Sequence, residues 1–212
     1  MKKLILLIAA VAFMANYSSA QENKTDFRDK LQFGLKIGMN YSNVYNTKGE
    51  EFVADGKFGL AAGAFVSIPI GTYLGIQPEV LFSQKGFSGT GTLLGSTYKF
   101  TRTTNYLDVP IFFALKPSEF LTVLAGPQYS YLMSQKDVFV NGTTTIEQEQ
   151  IFENDNIRRN TFCFVGGGDI NLKHVVISVR VGWDLMKNNG DGTSETPRYK
   201  NVWYQGTLGY KF

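Results

Sequence analysis

Hydrolytic chemistry generally needs a base, most often an imidazole, beside a nucleophile. This chain has one histidine, His174, and one cysteine, Cys163. His174 follows Lys173 between two alternating apolar runs, so it reads as part of a two-residue turn, where a lone imidazole is solvated rather than catalytic. A single cysteine makes neither a disulfide framework nor a thiolate metal site. A carboxylate-only site would need paired acids at one rim. Asp184 is placed near such a rim, but Glu50, Glu51, Asp55 and Asp191 fall in loops. Glu147, Glu149, Glu153 and Asp155 lack the turn glycine and regular spacing of a calcium loop, and Arg158 and Arg159 balance them. Gly166, Gly167 and Gly168 precede no helix, so they form no phosphate cradle; close packing is the better account. The expectation is no enzyme, no cofactor and no metal.

A different set of charges does recur at one place. Lys36, Glu79, Asp108 and Arg180 each stand about six to nine residues from the same end of an alternating stretch, which sets them at a common depth. The stretches that carry them are strands with two unlike walls. In 73–86, Leu74, Ile76, Pro78, Val80 and Phe82 fall on one side, and Gln77, Glu79, Ser83 and Lys85 on the other, with only Leu81 out of pattern. A soluble sheet would hide the apolar wall; a transmembrane barrel turns it to lipid and keeps the polar wall inside.

The pattern repeats eight times. The first strand, 31–42, alternates Leu31, Phe33, Leu35, Ile37, Met39 and Tyr41 with polar or small residues. The second spans about 57–68, with small Gly59, Ala61, Gly63 and Ser67 on its polar wall; the third is the stretch above. The fourth (about 102–116) and fifth (120–133) alternate equally well, whereas the glycines weaken the sixth (about 160–172). The seventh, 175–185, sets Val179, Val181 and Trp183 against Ser178, Arg180 and Asp184, and the eighth closes the chain. Connections at one end are short (69–72, 117–119, 173–174), while those at the other (about 43–56, 87–101, 134–159 and 187–200) are long and polar. Short turns and long loops on opposite ends characterise outer-membrane barrels, with turns in the periplasm and loops outside. Tyr41, Phe82, Tyr131, Trp183 and Tyr204 sit on apolar walls near the loop end, as an interfacial girdle. A lipocalin-like soluble barrel would need the reverse polarity around Arg180.

The amino terminus agrees. Lys2 and Lys3, an apolar run from Leu4 to Met14, and Ser18-Ser19-Ala20 before Gln21 read as a signal peptide (1–20) cleaved after Ala20. Residues 21–30 are polar and read as a periplasmic tether, leaving 31–212 as one outer-membrane barrel domain. Lys2 and Lys3 account for two of the 21 basic residues, so the mature chain carries 19 against 18 acids and implies no nucleic-acid partner.

Eight strands leave an interior that side chains just fill, so a charged plug of Lys36, Glu79, Asp108 and Arg180 bracing the wall is favoured over conduction. The expected geometry has Arg180 reaching Glu79 or Asp108, with Lys36 sharing the remaining charge. The alternatives are a small-solute or ion channel and, behind it, a lipid-modifying enzyme.

Several segments resemble the PorT-like outer-membrane β-barrel proteins of Gram-negative bacteria: FGLKIGMNYSNV (33–44), LGIQPEVLFSQKG (74–86), YLDVPIFFALKP (106–117), LAGPQYSYLM (124–133), VRVGWDL (179–185) and the closing LGYKF. Asp108 stands where such sequences usually carry Glu. The resemblance implies an all-β, eight-stranded antiparallel up-and-down barrel in the outer membrane. For the family's namesake it implies a part in assembling a secretion system, hence an envelope or secretion partner. The alternating Leu208, Tyr210 and terminal Phe212 resemble the signal read by the barrel-assembly machinery. With outer-membrane lipid, these complete the expected partners.

Overall fold

The computed structural model describes residues 27–45, 53–93, 96–141, 144–150, 157–189 and 199–212. Among the described residues nine strands follow in order: β1 (Gln32–Tyr45), β2 (Val53–Pro69), β3 (Leu74–Leu93), β4 (Ser96–Leu115), β5 (Leu121–Asn141), β6 (Thr144–Gln150), β7 (Asn160–Leu172), β8 (Val175–Asp184) and β9 (Lys200–Lys211). Eight of them close a ring, β1-β2-β3-β4-β5-β7-β8-β9, in which β9 returns to pair with β1 and every pairing is antiparallel. The ninth, β6, pairs with the far end of β5 from Gln135 to Asn141.

The ring is inverted relative to a soluble domain. Val179 is 63 % exposed and its neighbour Arg180 is 2 % exposed. Along β5 exposed and buried residues alternate without a break from Leu121 to Met133. Phe58, Phe113, Val80 and Tyr204 stand on the outer surface, and Gln77, Gln128 and Ser178 are buried inside. Each strand places its two residue sets on opposite sides of the pleat, so one alternation specifies both surfaces.

At the turn end, Lys173 takes a left-handed conformation (φ 54°), which closes the two-residue turn between Leu172 and Val175. The last residues of the expected tether fold over this end: Lys116 Nζ donates to the Arg28 carbonyl at 3.1 Å, and Arg28 Nη1 donates to that of Lys116 at 3.4 Å. The expected leader and the start of the expected tether lie outside the described residues.

The loop end departs from expectation. Residues 87–101 and 134–159, read as loops, hold strand: β3 and β4 run to Leu93 and from Ser96, and β5 runs to Asn141 before turning into β6. These three strands have 20, 20 and 21 residues against 10 for β8. At ~3.3 Å per residue and a tilt near 40°, the surplus lifts this side roughly 25 Å above the other. The extension escaped the sequence reading because its outer wall turns polar. Ser88, Thr90, Lys99 and Thr101 end the outward apolar alternation, while Phe87, Phe100 and Tyr98 fall on the inner wall, although Thr, Tyr and Phe favour strands.

Candidate functional site: a filled lumen beneath a taller loop side

The lumen is packed with paired charges. Lys36 Nζ lies 2.6 Å from Glu79 Oε2, and Gln77 Nε2 donates to Glu79 Oε1 at 2.9 Å. Arg180 Nη2 stands 2.7 Å from Asp169 Oδ1 and 3.8 Å from Glu79 Oε1, beyond hydrogen-bond reach of the latter. Its Nη1 donates to the carbonyls of Gly168 and Val179 at 2.9 and 3.1 Å, and its guanidinium faces the Phe112 ring. Lys85 Nζ pairs with Asp108 Oδ2 at 2.9 Å and sits 3.6 Å above the Trp203 ring, with Tyr106 on another side. The side chains of these pairs are at most 4 % exposed, so their charges interact in a medium far less polarisable than water.

The expected wiring holds in part: Arg180 pairs with Glu79 at 3.8 Å and Lys36 shares that carboxylate, but the short partner of Arg180 is Asp169 and Asp108 belongs to Lys85. Counting residues from the turn end treats strands as level, but a closed barrel is staggered. The register sets Asp108 opposite Leu81 rather than Glu79, and Arg180 opposite Gly167, which leaves Asp169 as its diagonal neighbour on β7. Sequence reasoning assigned no role to Lys85 or Asp169. Asp169 was hidden because it follows the glycine run. Within that run Gly167 has a packing purpose: a Cβ there would lie 2.0 Å from the Val179 carbonyl oxygen and 2.9 Å from Arg180 Cδ, whereas Gly166 and Gly168 have room. Gly182 makes room for Trp203 in the same way.

Beside the small Ala61 and Gly63, Phe65 also points inward, is 4 % exposed and lies under the Lys36 ammonium. Nearer the loop end, Asp184 accepts from the Asn201 backbone and side chain (2.9 and 2.7 Å) and from Cys163 Sγ (3.2 Å). Asp184 and Cys163 are thus tied into the wall.

Above this layer the tall side forms a vestibule. Arg102 on β4 forks onto Asp137 of β5, with Nε–Oδ1 2.8 Å and Nη2–Oδ2 2.7 Å, and its Nη1 donates to the Tyr199 hydroxyl at 2.6 Å. On the low side, 157–159 and 185–189 fold together, with Arg158 N donating to the Asn188 carbonyl and Ile157 packed on Tyr106 and Leu132. Arg102 opens the fourth strand in the sequence reading, but its partners Asp137 and Tyr199 fall in expected loops, and a loop reading gives no pairing.

Other singled-out residues stand apart. His174 is exposed, with Nδ1 2.9 Å from the Lys211 carbonyl oxygen and its ring stacked on Tyr210. Asp55 is exposed opposite Ser88. Glu50, Glu51, Glu153, Asp155 and Asp191 lie outside the described residues, and the side chains of Glu147 and Glu149 are likewise not described. Among the described residues no three His, Cys, Asp or Glu come close enough to share a metal ion. Leu208, Tyr210 and Phe212 all face outward and are exposed, and Phe212 N donates to the Phe33 carbonyl across the β1–β9 seam.

A closed antiparallel ring with an apolar exterior and a charged, filled interior defines a small outer-membrane-type β-barrel. Residues 19–188 match the family model for the outer membrane protein beta-barrel domain, and the chain belongs to that family. No curated protein matches it in sequence. Among solved structures it is similar to Ail, the attachment invasion locus protein of Yersinia pestis, at 12% identity and TM-score 0.51, covering 85% of this chain and 98% of that one. Neisserial surface protein A (8% identity, TM-score 0.47, 85% and 97% covered) is also similar. So is OprG from Pseudomonas aeruginosa, at 12% identity and TM-score 0.41, with 85% and 95% covered. These likenesses concern the fold.

Proposed function

We propose that this protein is a non-enzymatic outer-membrane barrel that works by recognition at its loop side, as an assembly or interaction component of the envelope. One observation carries the reading: the lumen is closed by Lys36–Glu79, Arg180–Asp169 and Lys85–Asp108, while β3, β4 and β5 continue well past it as a sheet edged by β6. Closing those pairs against one another favours a brace over a conducting path. Extended strands beyond the bilayer serve no spanning purpose, and a sheet held by its own ladder is a rigid platform for contact. The PorT-like resemblance suggests the form this takes, a partner within an envelope or secretion assembly. The lipid-facing wall takes outer-membrane lipid, and Leu208, Tyr210 and Phe212 present the face read by the barrel-assembly machinery.

Affinity purification from membranes under mild crosslinking tests this, comparing the full chain with a variant in which 88–101 is replaced by a short turn. A partner captured by the full chain and lost by the variant is the expected result. Normal capture by the variant, planar-bilayer conductance of the intact barrel, or lipid A altered by the gene's presence would each overturn it.

A further inference from the structure

Three cations crowd one point of the rim on the low side, where β7, β8 and β9 reach the loop end. Lys200 opens β9 and donates from Nζ to the Leu185 carbonyl at 2.8 Å, and Arg158 Nε donates to the Lys187 carbonyl at 2.9 Å. Those carbonyls are two residues apart, so at most roughly 7 Å of chain separates the two anchored groups. Lys187 itself is exposed beside them. Backbone bonds stitch the segments together: Leu185 N donates to the Phe162 carbonyl, Arg158 N to that of Asn188, and Asn188 N to that of Tyr199. Among the described residues none of the three cations forms an ion pair, and both anchoring bonds go to neutral carbonyls at the surface. Asp184, the described acid next to them in the chain, is turned inside and held by Asn201 and Cys163. Without Lys2 and Lys3 the chain has 19 basic residues against 18 acids, so this concentration of charge is local.

Depth decides what such a cluster meets. Val202 pairs with Trp183 of the outer girdle, and Lys200 is the next residue on the wall that carries Val202 and Tyr204. One step of the pleat is ~6.6 Å along the strand, or about 5 Å of height at a tilt near 40°. The headgroup layer on each side of the hydrocarbon core is roughly 5–8 Å thick, so Lys200 stands within it rather than in open water. Leu185, 52 % exposed, follows Trp183 on the outer wall, and Val179 and Tyr204 continue that apolar wall downward. A soluble polyanion would match the three cations but not the apolar wall joined to them. An anionic lipid matches both, with its phosphate among the cations and its acyl chains on the wall. Among the described residues Arg158 Nη1 and Nη2 make no hydrogen bond, which leaves two donors of a planar fork for two phosphate oxygens.

We infer that the low rim is a binding site for the phosphate headgroup of an anionic lipid in the loop-side leaflet, held by Arg158, Lys187 and Lys200, with the acyl chains laid along Leu185 and Trp183. The inference goes beyond recognition of a partner at the loop side and rests on the lipid-facing wall alone.

The test reads the two tryptophans of the chain. Trp183 adjoins the site, whereas Trp203 is fully buried under Lys85, so a lipid brominated on its acyl chains quenches Trp183 alone. The full mature barrel is reconstituted in phosphatidylcholine vesicles with a minor fraction of brominated lipid, either phosphatidic acid, a phosphate monoester, or phosphatidylcholine. A cation beside an anionic lipid surface contributes about fivefold in binding, so three should give phosphatidic acid an advantage of about tenfold or more in relative binding constant. Added salt should weaken that preference. Arg158→Gln, Lys187→Gln and Lys200→Gln should each lower it about two- to fivefold, and the triple variant should bring the two lipids to parity. Lys99→Gln removes an exposed charge high on the tall side, on the outer wall of β4 well beyond Leu107, and should leave the preference unchanged. Heat-shifted gel mobility confirms that each variant is folded, and the single variants keep the test open if the triple does not assemble. Equal quenching of wild type by both lipids, or a preference that Lys99→Gln lowers as much as the rim variants do, would overturn the site. Loss of the preference when inorganic phosphate is added at constant ionic strength would assign the cluster to a free anion and overturn the lipid. Absence of quenching by either lipid would refute the lipid-facing wall itself, a failure distinct from that of the headgroup site.

Discussion

Replacing Arg180 by methionine tests how the lumen charges are wired. The guanidinium holds Asp169 at 2.7 Å, reaches two backbone carbonyls and covers the face of Phe112. Methionine keeps most of the volume and removes the charge, which strands Asp169 where its side chain is 4 % exposed. Breaking a buried ion pair from one side costs ~3–5 kcal/mol, because the remaining charge has lost both water and partner. Glu79 is affected little, since Lys36 and Gln77 still hold its two oxygens. The expected loss therefore lies at the lower end, about 3 kcal/mol. Adding Asp169→Asn removes the stranded charge and should recover most of that loss. Adding Asp108→Asn instead breaks the separate Lys85 pair and should deepen it. Urea unfolding in liposomes, read by gel mobility and tryptophan fluorescence, gives each ΔG. If Arg180→Met melts with wild type, or Asp108→Asn rescues it better than Asp169→Asn, the wiring described here is wrong.

Three further outcomes are expected. Single cysteines at Val109, Tyr131, Val179 and Trp183 should react strongly with an apolar, lipid-soluble label, and those at Gln77, Gln128 and Ser178 should not, with Cys163 silent because it is fully buried; equal labelling of both sets would refute the facing. Val179→Arg should lower stability in the same liposome assay by about 2–4 kcal/mol, the cost of an arginine near the bilayer midplane, whereas a polar lumen site would show no such loss. Gly167→Ala should destabilise by about 1–3 kcal/mol, since its Cβ would overlap the Val179 carbonyl oxygen, while Gly206→Ala, with open space around it, should be tolerated.

Much of this barrel is legible in one dimension because a membrane strand has a two-residue period and two solvents. Leu35 and Lys36, or Val179 and Arg180, declare opposite walls by type alone, and eight such stretches joined by alternately short and long connections leave a closed ring as the consistent answer. The sequence by itself determined the strand count of the ring, the facing of every strand but the glycine-weakened sixth, the end at which the turns lie, and that Lys36, Glu79, Asp108 and Arg180 would be inside. It did not determine who pairs with whom. That depends on stagger, which is a property of closure, and closure placed Asp169 and Lys85 where counting along each strand could not. The vestibule is tertiary for a different reason. Above the girdle both walls of a strand meet water and the outward apolar alternation stops, so only the ladder from Phe87–Arg102 to Tyr98–Asn141 brings Arg102 to Asp137 and aligns the rings. Sequence spoke where the two faces met different solvents, and structure decided where they met the same one.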